Sequence, residues 1–180
     1  MSSNHNPTGA ALVVLIAILG PVSGAHLNPV VSAAEWRLGR RTIGLAAAYV
    51  AVQVAGGLVG VAATHLMFEA PLFAASTKAR GGGAQLWSEV VATFGLLLAI
   101  YGGLRYRPAW VPLLVGAYIT AAYRFTASTS FADPAVTIAR SLTDTFAGIR
   151  PADAPGFIAA QLVGGALAVV LARWLFADPA

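Results

Sequence analysis

Two short motifs hold most of the residues that could act on a solute. Asn28-Pro29-Val30-Val31-Ser32 and Asp133-Pro134-Ala135-Val136-Thr137 share one pattern: a capping side chain, a proline, two small or branched apolar residues and a hydroxyl. Asn and Asp are favoured N-cap residues, and proline suits the first helical position, so each motif predicts the start of a short helix. The caps differ in chemistry. The Asn28 amide can donate and accept hydrogen bonds, whereas an ionised Asp133 carboxylate can only accept. A helix N-terminus favours the anion and burial favours the neutral acid, so the sequence leaves the charge of Asp133 open. His26 and Asp133 could be imagined as an acid–base pair, but no activated nucleophile or metal-ligand cluster accompanies them. The chain has no cysteine, which excludes disulfides, thiol catalysis and cysteine metal sites; no enzyme activity, metal site or cofactor is expected.

The elements that carry these motifs are apolar. Of 180 residues, 58% are hydrophobic and 10% charged, well under the roughly 25% charge of a soluble domain. The mean hydropathy is +0.74. A net charge of +4 is too small and scattered for nucleic-acid binding. Apolar segments run over Gly9–Gly24, Thr42–Phe68, Trp87–Leu104, Ala109–Phe125 and Pro155–Phe176. A span needs about 20 helical residues. The second and last segments can cross, the third and fourth cross with their flanks, and the first is short. Met1–Pro7 is polar and lacks a basic n-region, so no signal peptide is expected. Trp36, Trp87, Trp110 and Trp174 fall near segment ends, as interface anchors do.

Arginines orient the chain. Arg37, Arg40 and Arg41 follow the first segment, and Arg105 and Arg107 lie between the third and fourth. Two spans separate the clusters, which puts both on the cytoplasmic side. The connections Glu69–Leu86 and Ser141–Asp153 then face outward. The sequence also repeats: the first motif recurs 105 residues on, and Gln53 with Gly56-Gly57 recurs at Gln161 with Gly164-Gly165, 108 residues on. An odd number of spans separates the matching last helices, so the halves are inverted, as in many channels and transporters. The helix from Pro29 to about Trp36 would be roughly 12 Å long, too short to cross. Two such half-helices from opposite leaflets would meet tip to tip near the midplane, their positive ends opposing cations. A carboxylate at that depth is by default a functional-site candidate.

Here the residues resemble a family. Ser23-Gly24-Ala25-His26-Leu27-Asn28-Pro29-Val30 is similar to the first signature of aquaporins and aquaglyceroporins, and Ser130-Phe131-Ala132-Asp133-Pro134-Ala135 occupies the place of the second. The resemblance runs from about Thr8 to Phe176. It implies an all-α transmembrane fold of six spans and two re-entrant half-helices in inverted repeat, a passive pore for water and small uncharged solutes, and a homo-tetramer in the lipid bilayer. The chain then reads as one channel domain over 1–180: a truncated first repeat 1–68, a connecting loop 69–86 and a second repeat 87–180.

Three departures from the family stand out. Its opening helix is missing, leaving about five spans, which a truncated gene, a wrongly chosen start codon or help from a neighbouring subunit would explain. Val136 stands where the family usually has an arginine. The filter carried over by spacing is Thr8, Ala121, Ser130 and Val136, wide and weakly polar. It resembles a bacterial branch associated with arsenic-type metalloid solutes, implying a bacterial inner membrane and solutes such as glycerol or neutral arsenite. Asp133 stands where the family has asparagine. The resemblance also implies supporting roles: His26 in the loop feeding the pore, Glu89 bonded to the loop carbonyls that line it, and Gln53 and Gln161 bonded to the half-helix loops. Arg124 is expected to snorkel to the interface. Rival readings are a proton-coupled transporter using Asp133 with Arg124, a membrane enzyme, and a non-conducting remnant.

Overall fold

The computed structural model describes residues 7–176, and in them the chain forms seven α-helices and no strands. These are α1 (Pro7–Ser23), α2 (Pro29–Arg37), α3 (Ile43–Met67), α4 (Gly83–Tyr106), α5 (Val111–Phe125), α6 (Pro134–Arg140) and α7 (Ala154–Leu175), with a short 3-10 turn, Pro108–Trp110, leading into α5. Helices α3, α4 and α7 are long and apolar enough to cross a membrane. Helix α1 has 17 residues and α5 has 15, roughly 25 and 22 Å at 1.5 Å per residue.

The helices start where side chains can take up free backbone N–H groups. Thr42 caps α3 through Leu45 N (3.3 Å), Asn28 caps α2 through Val30 N (2.8 Å), and Asp133 caps α6 through Val136 N (3.0 Å). Proline fills the first position of both α2 and α6, where its missing donor costs nothing. The start of α4 departs from the expected connection 69–86, because Gly83–Leu86 already belong to the helix.

The two repeats are interlocked. Helix α1 packs on α5, α3 on α6 and α7 on α2, besides the α4–α7 and α4–α5 contacts. Matched glycines allow the crossings. A Cβ on Gly57 would sit 3.2 Å from Ala139 Cβ and 3.4 Å from the Ala135 carbonyl of α6, and one on Gly165 would strike Val30 of α2. Close backbone approach of this kind is how helices associate where lipid removes the hydrophobic drive.

Residues 70–82 are not a free loop. They lie along 141–150, with Ala74 N bonded to Leu142 O, Ser76 N to Ser141 O (both 3.0 Å) and Arg150 N to Lys78 O (2.7 Å). Two carboxylates fasten this layer. Asp144 Oδ1 accepts from Thr77 N and Thr77 Oγ1, both at 2.9 Å, and these bonds hold its carboxyl below the usual range. Asp153 takes Arg150 Nη2 on one oxygen and Arg80 N on the other (2.9 Å each), with the same direction and cause.

The α4–α7 crossing is the tightest to test. A Cβ on Gly164 would meet the Val90 carbonyl oxygen and stand 3.1 Å from Phe94 N, both backbone atoms that cannot swing aside. Gly164→Leu is expected to destabilise the fold by about 3 kcal/mol or prevent it. Thermal unfolding in detergent measures the loss.

Candidate functional site

Both half-helices are entered through backbone that is not helical. Residues 24–28 lead to α2 and 126–133 lead to α6. Ala25 (φ +44°) and Leu27 (+48°) take left-handed conformations, and so do Ser130 (+46°) and Ala132 (+50°), each 105 residues on. Such conformations cost non-glycine residues about 1–2 kcal/mol each, and surrounding bonds must hold them.

Glu89 supplies that hold in the second repeat. Fully buried on α4, it accepts from Phe131 N at 2.9 Å and from Ala132 N at 2.8 Å. The expectation that it bonds loop carbonyls needs correction: a carboxylate accepts, so its partners are the N–H groups. Gln161 Nε2 donates to Glu89 Oε2 (2.6 Å) and to Thr137 Oγ1 (2.9 Å), and the Thr137 hydroxyl donates to Asp133 O (2.8 Å). The first repeat has a matching but lighter arrangement. Gln53 Nε2 donates to Ser32 Oγ (3.1 Å), whose hydroxyl reaches Asn28 O at 3.4 Å, and His26 Nδ1 lies 3.1 Å from the same Ser32 Oγ. The His26 ring packs on Tyr49 (4.8 Å between centroids), which donates to Ser23 O.

The tips meet at one bond. Asn28 Nδ2 donates to Ala132 O at 2.7 Å while Asn28 Oδ1 caps α2. Asp133 caps α6 in the same way, but an ionised carboxylate has no hydrogen to return across the junction. Both caps are buried, and both border a cavity of about 210 Å³.

That cavity follows one face each of α1, α4 and α5. Val111, Val115, Ile119 and Tyr123, spaced by four, line it along α5. Of the expected filter residues, Thr8, Ser130 and Val136 border it. Ala121 does not: it is exposed, two residues round the helix from Ile119. The physical reason is the 100° turn per residue, which puts Ile119 and Tyr123 inward together and Ala121 outward. Ser130 Oγ is buried without a hydrogen-bond partner among the described residues.

Two arginines packed on Phe131 escaped the sequence reading, and of them Arg140 borders the cavity. Arg140, at the end of α6, donates from Nη2 to Tyr123 Oη (2.9 Å), and its guanidinium lies 4.5 Å from the Phe131 ring centroid. Arg80 enters from the layer above, and its guanidinium lies 4.9 Å from that same centroid. It spends its donors on Gly148 O (2.7 Å), Ser128 O (3.0 Å) and Phe146 O (3.2 Å). The sequence offered one signal, the four-residue spacing of Val136 and Arg140. Arg124 is exposed at the end of α5.

Capped half-helices meeting tip to tip inside an apolar bundle, with a cavity running past both tips, define a membrane channel. Comparison with known proteins gives the family. The description Major intrinsic protein matches residues 6–122. Aquaglyceroporin AqpS of Rhizobium meliloti is 57% identical over 173 residues, covering 96% of this chain and 74% of that protein. Aquaporin Z of Bradyrhizobium diazoefficiens is 30% identical over 95% of the chain and 78% of its own length, and a probable aquaporin AqpM of Archaeoglobus fulgidus is 29% identical over 92% and 71%. The chain belongs to the major intrinsic protein family. It is a membrane channel for water and small solutes, and not an enzyme.

The Glu89 bonds give a direct test. Glu89→Ala strands two buried N–H groups, at about 1–3 kcal/mol each. A lowered unfolding temperature and loss of solute flux are expected, with Glu89→Gln falling between.

Proposed function

We propose that the chain is a passive channel of the inner membrane of a bacterium for small uncharged solutes wider than water, such as glycerol-like polyols or neutral metalloid hydroxides of the arsenite type. One observation carries this reading: Val136 borders the cavity at the place where the family usually has an arginine. A branched apolar side chain there leaves room and takes no hydrogen-bonding position. A cavity of about 210 Å³ holds several waters' share of liquid volume, at roughly 30 Å³ each.

The polar groups suit a neutral hydroxylic solute. Asn28 and Asp133 at the tips, Ser130 at the wall and His26 towards the basic end alternate with the apolar faces of α1, α4 and α5. A solute with several hydroxyls can exchange water for these partners one at a time, and slide on the apolar side. The aquaglyceroporin named among the relatives fits the same solute class. Arg37, Arg40, Arg41, Arg105 and Arg107 gather at one end, which the positive-inside rule makes cytoplasmic. The exposed apolar faces of α1 and α3, with Val14, Val52 and Val59 outward, face lipid or neighbouring subunits of a homo-tetramer.

A second reading rests on Asp133: a buried carboxyl at the tip could bind and release a proton, giving coupled transport. Reconstituted liposomes separate the two. Glycerol swelling, osmotic water flux and a pH-dye proton leak are followed by stopped flow, for the parent chain, Val136→Arg and Val136→Trp. The passive reading expects glycerol flux well above empty liposomes, falling about tenfold or more in both variants while no proton gradient is needed. Glycerol flux that requires a proton gradient would replace it with the coupled reading. No flux of any solute from folded, inserted protein would mean a non-conducting remnant.

A further inference from the structure

We propose that Arg140 is the charge barrier of this pore, a selectivity residue that turns away cations which the Asp133 carboxyl, when ionised, would draw in. The proposal rests on the channel reading above and adds to it the residue that sets ionic selectivity.

The geometry begins with α6. Asp133 caps it at the tip, Val136 follows on the cavity face, and Arg140 stands four residues further on the same face, all three bordering the cavity. Asp133 and Arg140 are thus separated by about 10 Å along the axis. A cation travelling from the layered loops toward the tip passes Arg140 first.

Its surroundings keep the guanidinium in place without neutralising it. The hydrogen bond from Nη2 goes to a neutral hydroxyl, Tyr123, rather than to a carboxylate. The Phe131 face, 4.5 Å from Cζ, steadies the cation and carries no net charge. Arg80 contributes a second guanidinium against the same ring, with donors bound to backbone carbonyls, so its charge also stays uncompensated by those bonds. Two positive groups therefore share one aromatic ring at this mouth, while the carboxyl lies deeper. Inside a bundle, with an effective dielectric constant near 20, a unit charge about 10 Å away changes cation occupancy by on the order of tenfold.

The two arginines divide the work. Arg80 holds the loops beside Phe131 together, since removing it strands the carbonyls of residues 128 and 148. Arg140 has a single hydrogen bond to Tyr123 and faces the cavity, so it is the one to change without dismantling the loops.

The test uses the full chain in liposomes, with potassium and proton leak measured beside glycerol swelling. Arg140→Gln removes the charge and keeps a donor for Tyr123. The expected result is a rise of about tenfold in potassium or proton leak relative to glycerol flux measured in the same liposomes. Arg140→Lys should hold the leak at the parent level. Adding Asp133→Asn to Arg140→Gln should bring it back down, because the attracting carboxyl is gone. Should Arg140→Gln fail to fold, Arg140→Gln with Val136→Arg restores a guanidinium one turn inward, and Arg140→Met fills the same space without charge. The Met variant should leak and the double variant should not. Unchanged cation leak in folded Arg140→Gln or Arg140→Met overturns the proposal, and so does a leak that Lys fails to suppress. A parent chain that passes no glycerol defeats the channel reading by itself. The barrier is then judged by whether the neutral variants open a cation leak in that sealed protein.

Discussion

Two stretches of chain, 24–28 and 126–133, enter a helical bundle without being helical, and every N–H and C=O in them needs a partner where lipid offers none. The solution in the second stretch is a single buried carboxylate. Glu89 takes two successive N–H groups, and that fixes which way the peptide planes turn. With the donors tied to α4, the alternating left-handed residues Ser130 and Ala132 leave carbonyls free on the other side. One of them, Ala132 O, receives the Asn28 amide and joins the tips. The cap, the tip contact and the wall of the cavity all depend on those two bonds.

The first stretch reaches the same backbone shape with different parts. Ser32 stands for Thr137 and Gln53 for Gln161, and each glutamine donates to the hydroxyl of its own half-helix. There the likeness stops. Around Ser32 the third member is the ring of His26, a group that bonds a side chain and not the loop's own N–H groups. The second repeat is thus clamped through backbone and the first through side chains. An aspartate in place of an amide at the second cap adds to the asymmetry, since an ionised Asp133 has no hydrogen to give across the junction.

Much of this was legible from residues. Asx-Pro pairs, the hydroxyl three residues after each proline, and the glutamines at matched distance all have local physical meaning, and they gave the half-helices, the inverted repeat and the bonded pairs. The helix bounds came within a few residues because apolar composition and caps mark them. What failed was the carrying of a position across a loop. Ala121 was placed by spacing, but the rotation of α5 is set by its packing on α1 and α4, which the sequence does not state. Left-handed Ala25, Leu27, Ser130 and Ala132 carry no local signal either, being imposed by bonds from distant helices. Arg80 and Arg140 lie outside both signature motifs, so their residue types alone marked nothing. Their role depends on the layer formed by 70–82 and 141–150, whose pairing joins stretches some 65 residues apart and could not be read from either one.

The crossing of α3 onto α6 and of α7 onto α2 has a consequence for how the molecule is made. Helices α1, α2 and α3 are synthesised before α4 to α7, and none of them meets its partner in the other repeat until the second half arrives. During that interval Asn28 has no Ala132 carbonyl, Gly57 faces no α6, and α2 packs on α3 without α7. The first repeat therefore lacks these contacts until α7 arrives and sets Gly165 against Val30 of α2. The contacts that join the two repeats thus form only once the second repeat has been made, so the first cannot reach its final packing by itself.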